Sequence, residues 1–360
     1  MRSRILTLTV LLAASVLSSA QLKQIAIIDL PGRPGFDSVA FANGHLVISH
    51  AAAGTVDIFS PSRRRLVAQV TNLARPMGIA VDEQAGKVYI ANSDAKNIVV
   101  INTKDWQVGG TIPLQAQPVS LLIANKILYV TQPRAFSIVP ILLGQAQPGP
   151  AIAVGGSSQA MVYDPQQKLL LATVEETSEV VGIDATGRIV KRIHLTASQP
   201  TGIALDQAQH RLFVAVRSAV LVLDPESGNE TARIASQQGT DTLWFDPASR
   251  TLYASASDGS VTMIQGNNNQ FTHVEQPTDV RGHTLAVDSE KNFVYLAGGR
   301  EGRSKLVILR RGGQPQPAQN AQKPNPAPGQ QEAKQPVPSK PVLQNSVQPP
   351  SPGQQLVKVQ

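Results

Sequence analysis

Short runs rich in Val, Ile, Leu and Ala recur along the whole middle of the chain, each bounded by Asp, Asn, Gly, Lys or Pro. Runs of that length with that punctuation predict β-strands joined by tight turns. The clearest unit spans Met77 to Pro118. It reads GIAVD, a turn, KVYIANS, a polar turn, NIVVIN, another turn, then VGGTIPL, which makes four strands.

Self-alignment shows that this unit repeats. With Tyr89 of the second strand as marker, the equivalent positions are Leu46, Tyr89, Tyr129, Leu171, Phe213, Tyr253 and Tyr295. Successive spacings are 43, 40, 42, 42, 40 and 42 residues. A four-stranded unit with a period of about 40–45 residues is the signature of propeller blades. Asp82, Asp164, Asp206, Asp246 and Asp288 each end a first strand and open a polar turn, as Asx-turn formers do.

Seven units fit, and the chain ends account for the count. The seventh supplies TLAVD, FVYLAGG and KLVILRR, then stops at Gly312 without a fourth strand. Gln24 to Leu30 (QIAIIDL) has no first three strands of its own and resembles the fourth-strand segments RIHL and GTIPL. The sequence therefore predicts an all-β, seven-bladed propeller of four-stranded antiparallel blades, closed by its N-terminal strand on the last blade. Closure removes strand edges that would otherwise stay unpaired.

The two ends differ in kind from the middle. Arg2 and Arg4, the apolar run Ile5 to Leu17 and the small residues Ser18-Ser19-Ala20 have the form of a secretory signal over residues 1–20. The apolar run is shorter than the ~20 residues a spanning helix needs, so the expectation is an exported, periplasmic or secreted chain with no membrane insertion of its mature part. Signal cleavage would free the closing strand. Residues 313–360 hold 11 of the 26 prolines, many glutamines and no aromatic residue, and are expected to be a disordered tail. The propeller is thus assigned to residues 21–312.

Charge changes the picture little. The net +7 of the full chain contains +2 from Arg2 and Arg4 and +3 from the tail, leaving +2 for the propeller. A nucleic-acid partner is not expected from so small an excess. The chain has no cysteine, which excludes disulfides, thiol catalysis, c-type haem and a lipoprotein anchor.

Tyr89-Ile90-Ala91-Asn92 and Tyr129-Val130-Thr131-Gln132, with the strand starts Pro76-Met77-Gly78-Ile79-Ala80-Val81-Asp82 and Pro200-Thr201-Gly202-Ile203-Ala204-Leu205-Asp206, resemble the YVTN-repeat propellers. Over roughly Leu22 to Arg311 the chain looks like the YncE-like and lactonase-like members of that group. The resemblance implies a seven-bladed exported propeller of varied use. The units starting at Ala160, Asp241 and His283 lack the Pro-x-Gly start, and the third has Leu121-Leu122-Ile123-Ala124 without an aspartate.

In such a ring the loops after each second strand and before each first strand share the channel mouth. Those loops differ between blades while the strands match, as a binding face on a repeated scaffold does. The ligand-binding candidates there are Arg33, Arg75, Asn92, Asp94, Glu175, Arg217, Asp258 and Arg300, with Asp241 and Arg281 nearby. Arginine on a concave rim suits a carboxylate or phosphate. His50, Glu175 and His283 are the acid/base candidates, since blades one and seven adjoin in a closed ring.

Calcium-dependent lactonase propellers need a channel carboxylate cluster with an amide ligand. Glu175, Asn92 and Asp258 are the right types, but no motif places them together. Two tryptophans, Trp106 and Trp244, do not make the docking motifs of quinone-cofactor propellers. No metal or cofactor is expected. Two functions stay open: a monomeric binding module for a protein, glycan or small anionic ligand, and a lactonase-like hydrolase or lyase.

Overall fold

The computed structural model describes residues 21–312, apart from Asn268. The expected signal (1–20) and tail (313–360) lie outside the described residues. Seven four-stranded antiparallel sheets form, and their innermost strands neighbour one another in a closed circle. The fold is the expected seven-bladed β-propeller. Among the described residues the single helical turn is Pro133–Ala135, and no helix is long and apolar enough to cross a membrane.

The burial pattern follows from sheets stacked face to face. Second and third strands are covered on both faces, and His45–His50, Thr55–Ser60, Leu169–Val174 and Thr251–Ala256 are buried along almost their whole length. Such strands are mostly apolar, and the polar residues they bury, such as His50 and Asp57, pair with one another. Outer strands such as Val108–Pro113 and Glu230–Ala235 bury little more than one side chain each.

The closing strand is Leu22–Leu30, two residues longer than the sequence predicts. It pairs antiparallel with Arg303–Arg311 from Leu22↔Arg311 to Leu30↔Ser304, with a bulge between Gln24 and Ala26. Lys305 Nζ donates to the Asp29 carboxylate, which lowers its pKa. Blade 3 has the irregular outer edge that its Pro- and Gly-rich stretch predicts. Its fourth strand is only Ile152–Ala153. Beyond it, Pro140 offers no N–H and its carbonyl is taken by Gly149 N at 2.7 Å, so the edge is blunted.

The structure corrects one marker. Ser49 bonds Ser38 as Thr131 bonds Ser120 and Ala215 bonds Gly202, which makes Val47, not Leu46, the equivalent of Tyr89. Val47 packs on blade 2 just as each other marker packs on the following blade, whereas Leu46 packs on blade 7. A one-residue slip reverses the face of every side chain in a strand. The repeated glycines now have a cause: a Cβ at Gly78 would meet Val119 O at 2.4 Å, and one at Gly202 would meet Asp241 O at 2.1 Å. The inner strands approach too closely there for any side chain. All five marker aspartates accept backbone N–H groups in their turns, as expected of Asx-turn formers.

Candidate functional site

The two sets of loops do share one face. Ala52 N bonds Gly35 O, Asp94 N bonds Ala74 O, Glu175 N bonds Ser157 O and Ser257 N bonds Gly239 O, each tying a second-to-third loop to the segment entering an inner strand.

Below this rim the register sets a ring of equivalent positions, one residue before the Ser38 position of each blade. The ring reads Asp37, Met77, Val119, Gln159, Thr201, Asp241 and His283. All but Met77 line one cavity of about 190 Å³ at the centre of the propeller. Blades 2 to 5 contribute neutral residues, and the three titratable ones fall on the adjoining blades 6, 7 and 1. Of these, His283 and Asp241 were visible as mouth residues in the sequence, and Asp37 was not. Its signal was available: reading the ring position down the repeat finds it, once blade 1 is aligned on Val47.

His283 Nδ1 lies 2.9 Å from Asp241 Oδ2. The contact is ionic rather than an aligned hydrogen bond, and Nδ1 has no hydrogen-bond partner among the described residues. Asp241 beside it holds the imidazolium and raises the His283 pKa, against the opposing effect of burial. The Ser255 hydroxyl fixes the His283 carbonyl at 2.6 Å. Asp37 is closely enveloped by protein yet borders the cavity. Burial pushes its pKa up to about 6, with Asp241 acting the same way and His283 and Arg75 opposing. Its backbone N–H bonds Ser49 O, but its carboxylate accepts no hydrogen bond among the described residues. These three groups are not arranged to hold a metal ion.

A larger cavity of about 640 Å³ opens above, lined by Arg33, Arg75, Asp94, Asp37 and the apolar Phe36, Leu73 and Met77. The two cavities share Asp37. Arg33 spends only Nε, on Ala52 O at 3.0 Å. Arg75 stands 3.8 Å from Asp94, and both are half exposed. Asp94 also accepts from Gln117, which accepts from Arg134, so a polar chain runs along blades 2 and 3.

The remaining predicted residues do not converge with these. Arg217 bonds Gln199 on blade 5, and Arg300 lies near Asp279 and Glu301 at the tip of a blade 7 hairpin. Glu175 sits on blade 4 beside Glu176, whose carboxylate caps Ser157. Asn92 is buried and braces its own loop through Ala74 N at 2.7 Å and Asn97 at 3.0 Å. Asp258 closes its turn on Ser260.

His50 departs most from expectation. It has no exposed surface. Nδ1 faces Asp57 Oδ2 at 3.0 Å, Nε2 faces Arg33 O at 2.8 Å and Ser304 Oγ at 3.2 Å, and Phe36 stacks on the ring at 4.1 Å. Ser, His and Asp are thus in contact, but Ser304 donates to Gly32 O and nothing can reach the group. The network is a latch: it joins blade 7, blade 1 and the segment between closing strand and first blade.

The geometry defines a β-propeller with a chambered mouth. The chain matches no sequence family and no curated protein. Among solved structures it is similar to a chain of Kuenenia stuttgartiensis hydrazine synthase, at 16% identity and a TM-score of 0.67, covering 78% of this chain and 97% of that one. It is likewise similar to a chain of a mitotic checkpoint complex, at 12% identity and a TM-score of 0.70, covering 86% of this chain and 100% of that one. Since 1572 solved chains match, these likenesses identify the fold and not its use.

Proposed function

We propose that the protein is an exported, monomeric binding module of the YVTN-repeat kind, and that its channel mouth captures a small anionic ligand. The observation that carries this reading is the mouth cavity with Arg33 and Arg75 on its wall, each with guanidinium donors to spare. A charge-assisted hydrogen bond contributes about 1.5–3 kcal/mol, so losing one arginine is worth about tenfold or more in affinity. With butyrate, succinate and inorganic phosphate as calorimetric probes, Arg33→Ala and Arg75→Ala should each weaken the probe that binds by about tenfold. Arg217→Ala and Arg300→Ala, which lie off the cavity, should leave it unchanged. Equal losses in all four variants would mean general surface charge, and the mouth assignment would fall.

A second reading, a lactonase-like hydrolase or lyase, is favoured by the convergence of Asp37, Asp241 and His283 on one cavity. His283 is then the acid/base group, without His50 or Glu175. Turnover on a lactone panel that disappears in His283→Ala would support it. No turnover by the intact protein on that panel, with or without calcium, removes it.

A further inference from the structure

The two cavities share Asp37 and differ in their other charged residues. On the mouth wall, Asp37 apart, Arg33 and Arg75 outweigh Asp94 by one positive charge. In the channel below, Asp37 and Asp241 outweigh His283 even when its ring is protonated. Asp241 and His283 answer one another at 2.9 Å, so the uncompensated charge falls on Asp37. That carboxylate is half-buried, accepts no hydrogen bond among the described residues, and lines both cavities. A half-buried carboxylate without a hydrogen-bond donor is answered best by a cation that carries donors. Arg281 lines a third cavity, which shares His283 with the channel and Gly35 and Phe36 with the mouth.

We infer that the ligand is a zwitterion, an amino acid in the broad sense. Its carboxylate meets Arg33 and Arg75, and its ammonium group reaches down to Asp37. This rests on the mouth reading above and names the ligand class for it. A carboxylate alone would leave Asp37 unpaired, and an amine alone would leave the two arginines unused. The apolar residues Phe36, Leu73 and Met77 that line the same cavity suit a short methylene chain.

Binding through Asp37 depends on pH. Charged groups facing Asp37 are His283, Asp241 and Arg75. Asp37 must be ionised to hold the ammonium, and burial pushes its pKa up to about 6. Affinity should therefore fall by about tenfold for each pH unit below that value.

The test is calorimetric titration of the full chain with glycine, β-alanine, γ-aminobutyrate and ε-aminocaproate, against butyrate and butylammonium. One amino acid of the series should bind at least about tenfold tighter than either singly charged control. Asp37→Asn should remove that advantage and flatten the pH profile while leaving butyrate binding intact. If butyrate binds as tightly as every amino acid, or Asp37→Asn changes nothing, the zwitterion assignment is overturned and the anion-binding mouth survives. If no probe of either kind binds, both are overturned. A melting midpoint for Asp37→Asn at or above that of the parent separates a binding effect from misfolding.

Discussion

His50→Ala is expected to cost about 3–5 kcal/mol of stability, the range seen when one partner of a buried ion pair is removed. Three losses combine. Asp57 has no exposed surface and would keep only Thr55 (3.0 Å) and Gln69 (2.7 Å) as donors. The carbonyl of Arg33 would lose its partner, and the Phe36 ring would face a void left by the imidazole. Leaving a buried acceptor unpaired costs more than the hydrogen bond itself contributes. In thermal unfolding the midpoint should fall on the order of 10 °C. The same substitution should speed amide exchange in residues 31–37, since Ser304 and His50 fix that segment through Gly32 O and Arg33 O. A loss below about 1 kcal/mol, with exchange unchanged, would show that backbone packing alone holds it.

That latch marks the limit of what sequence could reveal. His50 and Ser304 are 254 residues apart and meet only because the ring closes. Sequence showed that blades 1 and 7 adjoin, and so brought His50 toward the mouth. It could not show that His50 points away from the channel, because orientation within a strand depends on register to a single residue. The marker at Leu46 was one residue out for the same reason. Blade 1 joins its first two strands through Asn43-Gly44 alone, whereas blade 2 uses a longer turn from Asp82 to Lys87. Counting across turns of unequal length misplaces a strand that pairing would place correctly.

The fold was far more legible than the site. Repetition supplies seven independent readings of each position, so period, strand order and the closing segment all survived single errors. A site in a propeller is by nature the unrepeated part. Asp94 and Arg75 are half exposed on loops, and their neighbours are set by loop shape rather than periodicity. Asp37 is an intermediate case. It occupies a repeated position but differs in kind from Met77, Val119, Gln159 and Thr201 at that position, and the change is where chemistry entered the ring.

Deleting Leu22–Leu30 should have the largest effect of any change considered: the remaining chain should not yield a stable monomer. Leu306, Val307, Ile308 and Leu309 are at most 2% exposed, and the closing strand covers one edge of the strand that carries them. Without it, Arg303–Arg311 becomes the bare edge of blade 7, with its outward N–H and C=O groups facing solvent. Such an edge pairs with whatever strand it meets, so soluble oligomers or aggregates are expected in place of monomer. The deletion also cuts the tie between the chain ends, and every innermost strand depends on two neighbours in the ring. Loss of that tie should lower the barrier to opening at the blade 7 to blade 1 seam first, where Leu30, Phe36 and Leu306 share one core. Size-exclusion chromatography with limited proteolysis reads the result. A synthetic peptide of residues 22–30 added in trans should restore monomer and protease resistance, because the edge it fills is otherwise intact. A truncated chain that remains monomeric, with a melting midpoint close to that of the parent, would mean that stacking of seven blades closes the ring without the strand.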